Sequence, residues 1–292
     1  MTCHRRIGLT LALAALVTAG LDGGAAQERV YVAVSDAKHK PVAGLTAADF
    51  QVAIDGKAQE IASVAPATDP VSVVIITDRL GLESAYNTFT VHRALSAFVK
   101  GVHAKLPDSL FALTTFDGPV VRIMGLSSPT GGLDRALGRL ATNATDGAML
   151  DAVKDATEVL KTATTERRAI FAVFAGYRPD MSREWNDTAA LALWQSKASL
   201  WAIEVRSSGA NSFGNTHREQ VVNQGSQMSG GMAETVGSAV GLDAMTQRMA
   251  ALLANQYVIT YGPGGGGGTG SRRAVSVAGK GFRVLAPVWN PR

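Results

Sequence analysis

The chain has 292 residues, 46% of them hydrophobic and only 18% charged, with a net charge of +4 at pH 7. That leaves room for a substantial core, in one large domain or in a medium domain with a small one. The positive excess forms no basic run or basic-aromatic stripe, which argues against nucleic acid as a partner.

Residues 1–26 read as a secretory signal peptide. Arg5-Arg6 supplies the charge, Ile7 to Gly20 the short apolar run, and Ala25-Ala26 the small-residue cleavage site. The paired arginines also loosely resemble a twin-arginine export signal. The one cysteine, Cys3, precedes the apolar run, so a mature chain starting near Gln27 has no thiol, disulfide or cysteine metal ligand. No later apolar segment is long enough to cross a membrane. The expected location is periplasmic or secreted.

Residues 27–68 read as a small β unit. Val30, Tyr31, Val32 and Val34 lie in an alternating stretch, Phe50 to Ile54 alternates again, and Asp55-Gly56 signals a hairpin that Ile61 to Val64 closes. Such a unit is too small to stand alone and should pack on something else. Thr68-Asp69-Pro70 is the junction to a larger unit, expected over 69–262.

That unit is built around Val71-Ser72-Val73-Val74-Ile75-Ile76-Thr77-Asp78. The run is β-branched and lacks alternation, which predicts a strand buried on both faces. Open α/β sheets bind ligands beyond the carboxyl ends of such strands, so the turn after Asp78 is the first place to look for a site. Val91, Leu95, Phe98, Val102 and Leu106 then mark a helix. Leu110 to Phe116 and Val120 to Met124 read as strands joined by Asp117-Gly118, the second antiparallel at an edge. Short helices are expected around Leu133–Leu140 and Leu150–Leu160. Ala169 to Phe174 is another buried strand, followed by the loop Ala175-Gly176-Tyr177-Arg178-Pro179-Asp180, a helix over 184–197 and a strand over 200–205. Ser207 to Gly231 reads as a long mobile loop. A last helix over Leu242–Leu252 and a strand at Gln256 to Tyr261 follow. Beyond the glycine linker from Gly262 to Gly270, residues 263–292 end in two short strands expected to pair with the N-terminal hairpin. Alternating strands and helices predict a doubly wound, mostly parallel α/β sheet with helices on both faces and β segments at both termini.

This order resembles the von Willebrand factor type A domain, and most closely a subgroup of secreted bacterial proteins. The segments carrying the resemblance are Val32 to Asp36, Gly44 to Phe50, Asp55-Gly56-Lys57 and Asn255 to Tyr261. The resemblance implies strand one beside strand four, and a divalent-cation site of five side-chain oxygens from three loops. Asp78 matches the first ligand. The two serine positions are Leu80 and Leu82, the threonine position is Gly147, and the last aspartate position is Ala175. Leucine, glycine and alanine side chains supply no oxygen, and one carboxylate cannot hold Mg²⁺ strongly. The expectation is therefore no metal and no cofactor.

The expected partner-binding crevice comprises Asp78, Arg79, Ser84, Asp146, Gly147, Tyr177 and Arg178. In the functional reading, an arginine replaces the cation and receives a partner's carboxylate. In the plainer one, Asp78 caps the following turn while Arg79 pairs with Asp78 or Glu83, and Arg178 with Asp180. No catalytic arrangement stands out. Gly237-Ser238-Ala239-Val240-Gly241 misplaces serine for a nucleophile elbow. His92 and His103 read as surface positions on a helix, His39 and His217 as loop residues, with no metal-type spacing. Trp185, Trp194 and Trp201 read as core, with a binding patch as the alternative. These observations favour non-catalytic protein recognition outside the cytoplasm. The alternatives are a hydrolase with an unrecognised site, or a scaffold binding through the 207–231 loop.

Overall fold

A computed structural model of the chain describes residues 27–78, 88–129, 132–137, 147–176, 179–206, 215–237, 239–262, 270–279 and 281–288. The expected signal peptide and the glycine stretch 263–269 lie outside them.

The first strands follow the sequence alternation. Glu28–Ser35 forms β1 and Phe50–Ile54 forms β2. At Asp55-Gly56 φ is 48° and 78°, and two successive positive values make the tight hairpin turn that suits strand twist. The return strand is Lys57–Gln59 (β3), with Ile54 opposite Lys57. Ile61 to Val64 was expected in that role. A two-residue turn puts the residues right after Gly56 opposite β2, so Ile61–Pro66 (β4) is released to another sheet.

Val71–Thr77 forms β5, and every one of its residues is buried. Thr88–Lys105 (α1) follows, then Leu110–Thr115 (β6) and Val121–Ser127 (β7). Next come Leu133–Leu137 (α2), Met149–Lys161 (α3) and Arg167–Ala175 (β8). Asn186–Ser196 (α4) and Ala198–Val205 (β9) complete the pattern read from the sequence. The six-stranded sheet runs β10-β9-β8-β5-β6-β7, where β10 is Met232–Val236. All its pairings are parallel except β6 with β7, so β7 is the antiparallel edge expected from Asp117-Gly118.

Ser207 to Gly231 is not a continuous loop. It holds Thr216–Gln220 (α5), a π-helical turn over Val221–Gly225, and Ser226–Met228 (α6). Its glycines serve close packing. A Cβ on Gly225 would meet Leu193 Cδ1 at 3.4 Å, and one on Gly231 would lie 1.9 Å from the Leu200 carbonyl oxygen. β10, unforeseen in the sequence, adds an edge beside β9.

Two cores result. Val71, Val73 and Ile75 face Ala239–Ala254 (α7) and α1, where the Phe98 and Phe171 rings stack at 3.7 Å. Val74 and Ile76 face α3 and α4. Alternate residues of one strand thus enter different cores, which explains the missing polar alternation.

Tyr257–Tyr261 (β11) pairs with β1 and β4, outside the six-stranded sheet. Arg273–Val277 (β12) pairs with β2, and Arg283–Leu285 (β13) with β1. The C-terminal strands join the N-terminal hairpin region as expected, around a third core that includes Val32, Phe50 and Ile259.

Candidate functional site

β5 and β8 are hydrogen-bonded neighbours running in parallel, so the loops leaving them open on the same edge. Asp78, the first residue past β5, is 2% exposed, and its Oδ2 accepts the Ala175 N–H at 3.3 Å. The first and last positions of the expected site therefore touch.

The third position arrives from the start of α3. Gly147 bridges Asp117 on one side and Asp180 on the other. Ala148 N–H donates to Phe116 O at 3.0 Å, and Met181 N–H donates to Gly147 O at 2.7 Å. The N-terminal amides of α3 are already used: Met149 N–H donates to Asp180 Oδ2, and Leu150 and Asp151 N–H to Ser182 Oγ. In return Asp151 Oδ1 accepts the Arg183 and Glu184 N–H groups. These bonds satisfy the orphan donors of the helix start and lock the loop after β8 against it.

A buried cation stands at this edge, Arg218 on α5. It is 3% exposed, lies over the Phe174 ring, and donates through Nη2 to Gly176 O at 2.7 Å. Burial pushes its pKa down, while Asp180, Glu204, Asp78 and Glu219 act against that shift. Glu204, at the end of β9, is 7% exposed. Its Oε2 pairs with Arg206 at 3.0 Å and accepts from Thr235 Oγ1 at 3.2 Å. Gly176 has room only for hydrogen here, because a Cβ would lie 2.1 Å from Glu204 Oε1. One buried guanidinium thus sits within the field of Asp78, Asp180 and Glu204.

Of the expected crevice residues, Asp78 and Gly147 are described and lie on this edge. Arg79, Ser84, Asp146, Tyr177 and Arg178 lie outside the described residues, as do Leu80 and Leu82. Sequence reasoning missed Arg218, Asp180 and Glu204. Glu204 carried a signal, being an acid in the apolar run Leu200 to Val205. Arg218 stood in the stretch read as a loop. His217, also expected in a loop, lies on α5 with Nδ1 2.9 Å from Asn186 Oδ1. Trp201 is core as expected, but Trp185 is 63% exposed, with its ring edge-on to His217 at 5.0 Å.

Among the described residues, the donor set is poor in ligands for a divalent cation. Gly147 and Ala175 bring no side-chain oxygen, and the Asp78 carboxylate is engaged by an amide near a buried guanidinium. Hard cations take six or more oxygens. Among the described residues, no three His, Cys, Asp or Glu side chains are placed to hold a metal.

An open, doubly wound sheet with a crevice between neighbouring parallel strands defines the class. Its specific form is the von Willebrand factor type A fold. A von Willebrand factor type A protein from Catenulispora acidiphila superposes with a TM-score of 0.51 at 13% identity, covering 83% of this chain and 74% of that one. Proximal thread matrix protein 1 of the mussel byssus, solved with a zinc-occupied MIDAS motif, gives 0.51 at 15% identity over 68% of this chain and 49% of that one. No family model and no curated protein matches the sequence. Among the described residues, no helix is long and apolar enough to cross a membrane.

Proposed function

We propose that this chain is a non-catalytic protein-recognition module, that it acts outside the cytoplasm, and that it captures its partner without a divalent cation. The observation that supports recognition is the distribution of exposed apolar side chains. Seven large ones stand out among the described residues: Phe89, Val121, Met181, Trp185, Leu191, Val240 and Phe282. Five of them belong to the crevice edge. Phe89, Trp185 and Val240 lie at the starts of α1, α4 and α7, which follow β5, β8 and β10. Met181 hydrogen-bonds to Gly147, and Val121 pairs with the last residue of β6. Apolar side chains gathered at one edge suit a protein interface.

Arg218 supports the metal-free part of the reading. In this reading its guanidinium takes the place of the ion as the positive charge among Asp78, Asp180 and Glu204. Arg79 and Arg178, which follow β5 and β8 in the sequence, are proposed as the cations that meet the partner. The location rests on the signal-like pattern of residues 1–26.

Affinity capture from the periplasmic or secreted fraction, with and without a chelator, tests this. The expected result is capture unaffected by chelation and lost in a Phe89→Ser, Trp185→Ser double variant that melts like the original. Capture abolished by the chelator would overturn the metal-free reading, and undiminished capture by the double variant would overturn the edge.

A further inference from the structure

The opposite edge of the same sheet holds a cavity of about 540 Å³, a size typical of small-molecule sites. Its floor is where β5, β8 and β9 begin, and its roof is formed by β1, Arg273 and Pro287. One part of the wall is apolar, including Leu193, Trp194 and Met228. The other part is unusually cationic.

The acids in the wall are already engaged. Glu166 pairs with Arg29 at 2.9 Å and accepts from Tyr31. Glu28 lies 3.7 Å from Arg273 and accepts from Tyr261 at 2.6 Å. Arg167 and Arg168 are different: among the described residues neither has a carboxylate in ion-pair range. Arg167 is 3% exposed and donates only to Asp69 O, Leu253 O and the Gln256 amide oxygen. Arg168 reaches only the carbonyls of Thr165, Ser196 and Ala163, at 3.2–3.3 Å. Exposed Lys197 adds a third positive charge. Two buried donors in this wall, Arg167 Nε and Trp194 Nε1, have no acceptor among the described residues.

We propose that this cavity binds a monocarboxylate with an apolar body. An apolar chamber whose wall carries a guanidinium without an ion-pair partner among the described residues, an unused Nε on it and an unused indole N–H offers an apolar tail its burial and a carboxylate both donors and positive charge. A phosphate dianion would press its charge against the apolar wall of Leu193, Trp194 and Met228. The site is separate from the crevice edge, at the other end of β8.

Calorimetric titration of the full chain with decanoate, and with decanol as the uncharged analogue, tests the proposal. The expected result is one decanoate per chain, with decanol at least tenfold weaker. Ala190→Trp, which fills the chamber without touching Arg167, should abolish binding, and Lys197→Glu should weaken it several-fold. The Phe89→Ser, Trp185→Ser variant should bind decanoate as the original does, so that failure of the crevice reading leaves this one intact. No saturable decanoate binding, equal affinity for decanol, or undiminished binding by Lys197→Glu would overturn it.

Discussion

Arg167 and Arg218 are both 3% exposed, at opposite ends of β8, yet they are compensated in different ways. Arg218 sits in the field of four carboxylates. Arg167 binds neutral oxygens, and burial pushes its pKa down to about 10 with only Tyr31 and Asp69 acting against the shift. A buried cation among acids completes a charge set, whereas one held by carbonyls keeps an excess of positive potential. The first arrangement fills the crevice and the second leaves a cavity open to an anion.

Removing each cation should separate the two cases, and the largest effect is expected at the crevice. Arg218→Ala removes the buried cation from among Asp78, Asp180 and Glu204 and should cost about 3–5 kcal/mol in urea unfolding. A loss of about 1 kcal/mol or less would mean that Arg218 contributes little beyond its packing over the Phe174 ring.

Arg167→Met should cost less, about 1–3 kcal/mol, because it leaves neutral acceptors unpaired rather than charges. A loss as large as that of Arg218→Ala would erase the contrast. Gly147→Thr should cost about 1 kcal/mol or less by thermal melting, since a Cβ there meets its nearest atoms, in the Phe116 ring, at 3.6 and 3.7 Å. A larger loss would show that position 147 excludes the threonine hydroxyl on steric grounds.

The smallest effect belongs to the surface of the terminal β segments. Asp36 is held below the usual carboxylate range by the Lys40 and Lys38 amides, and Asp49 by the Thr46 amide and hydroxyl. Depressed carboxylates contribute stability above their ordinary pKa and lose it as pH falls through the folded value. An Asp36→Asn, Asp49→Asn variant should therefore melt with a flatter acid limb between about pH 5 and 3, while its response near neutrality stays unchanged.

The parts of the fold that the sequence disclosed are those where one local cause dominates. Val71–Thr77 is buried on both faces, so its composition alone marks it as a central strand. Asp55-Gly56 needs two positive φ values, so its turn is legible too. The stretch around Arg218 has no such single cause. Gly225 and Gly231 lie against Leu193 and Leu200, and glycine chosen for close packing looks the same in sequence as glycine chosen for a loop. The site's acids were hidden for a related reason. Asp180 and Glu204 are brought together by parallel strand pairing across more than twenty residues, and no local spacing records it. Asp78, Gly147 and Ala175 could be placed in advance, through the family resemblance.

Calorimetric titration of the full chain and of Arg218→Ala with Mn²⁺ tests most directly whether the crevice carries its own positive charge. The original chain should give no saturable heat up to millimolar Mn²⁺, and the variant should gain weak binding at the vacated carboxylates. Micromolar Mn²⁺ binding by the original chain, lost in Asp78→Asn, would contradict the account.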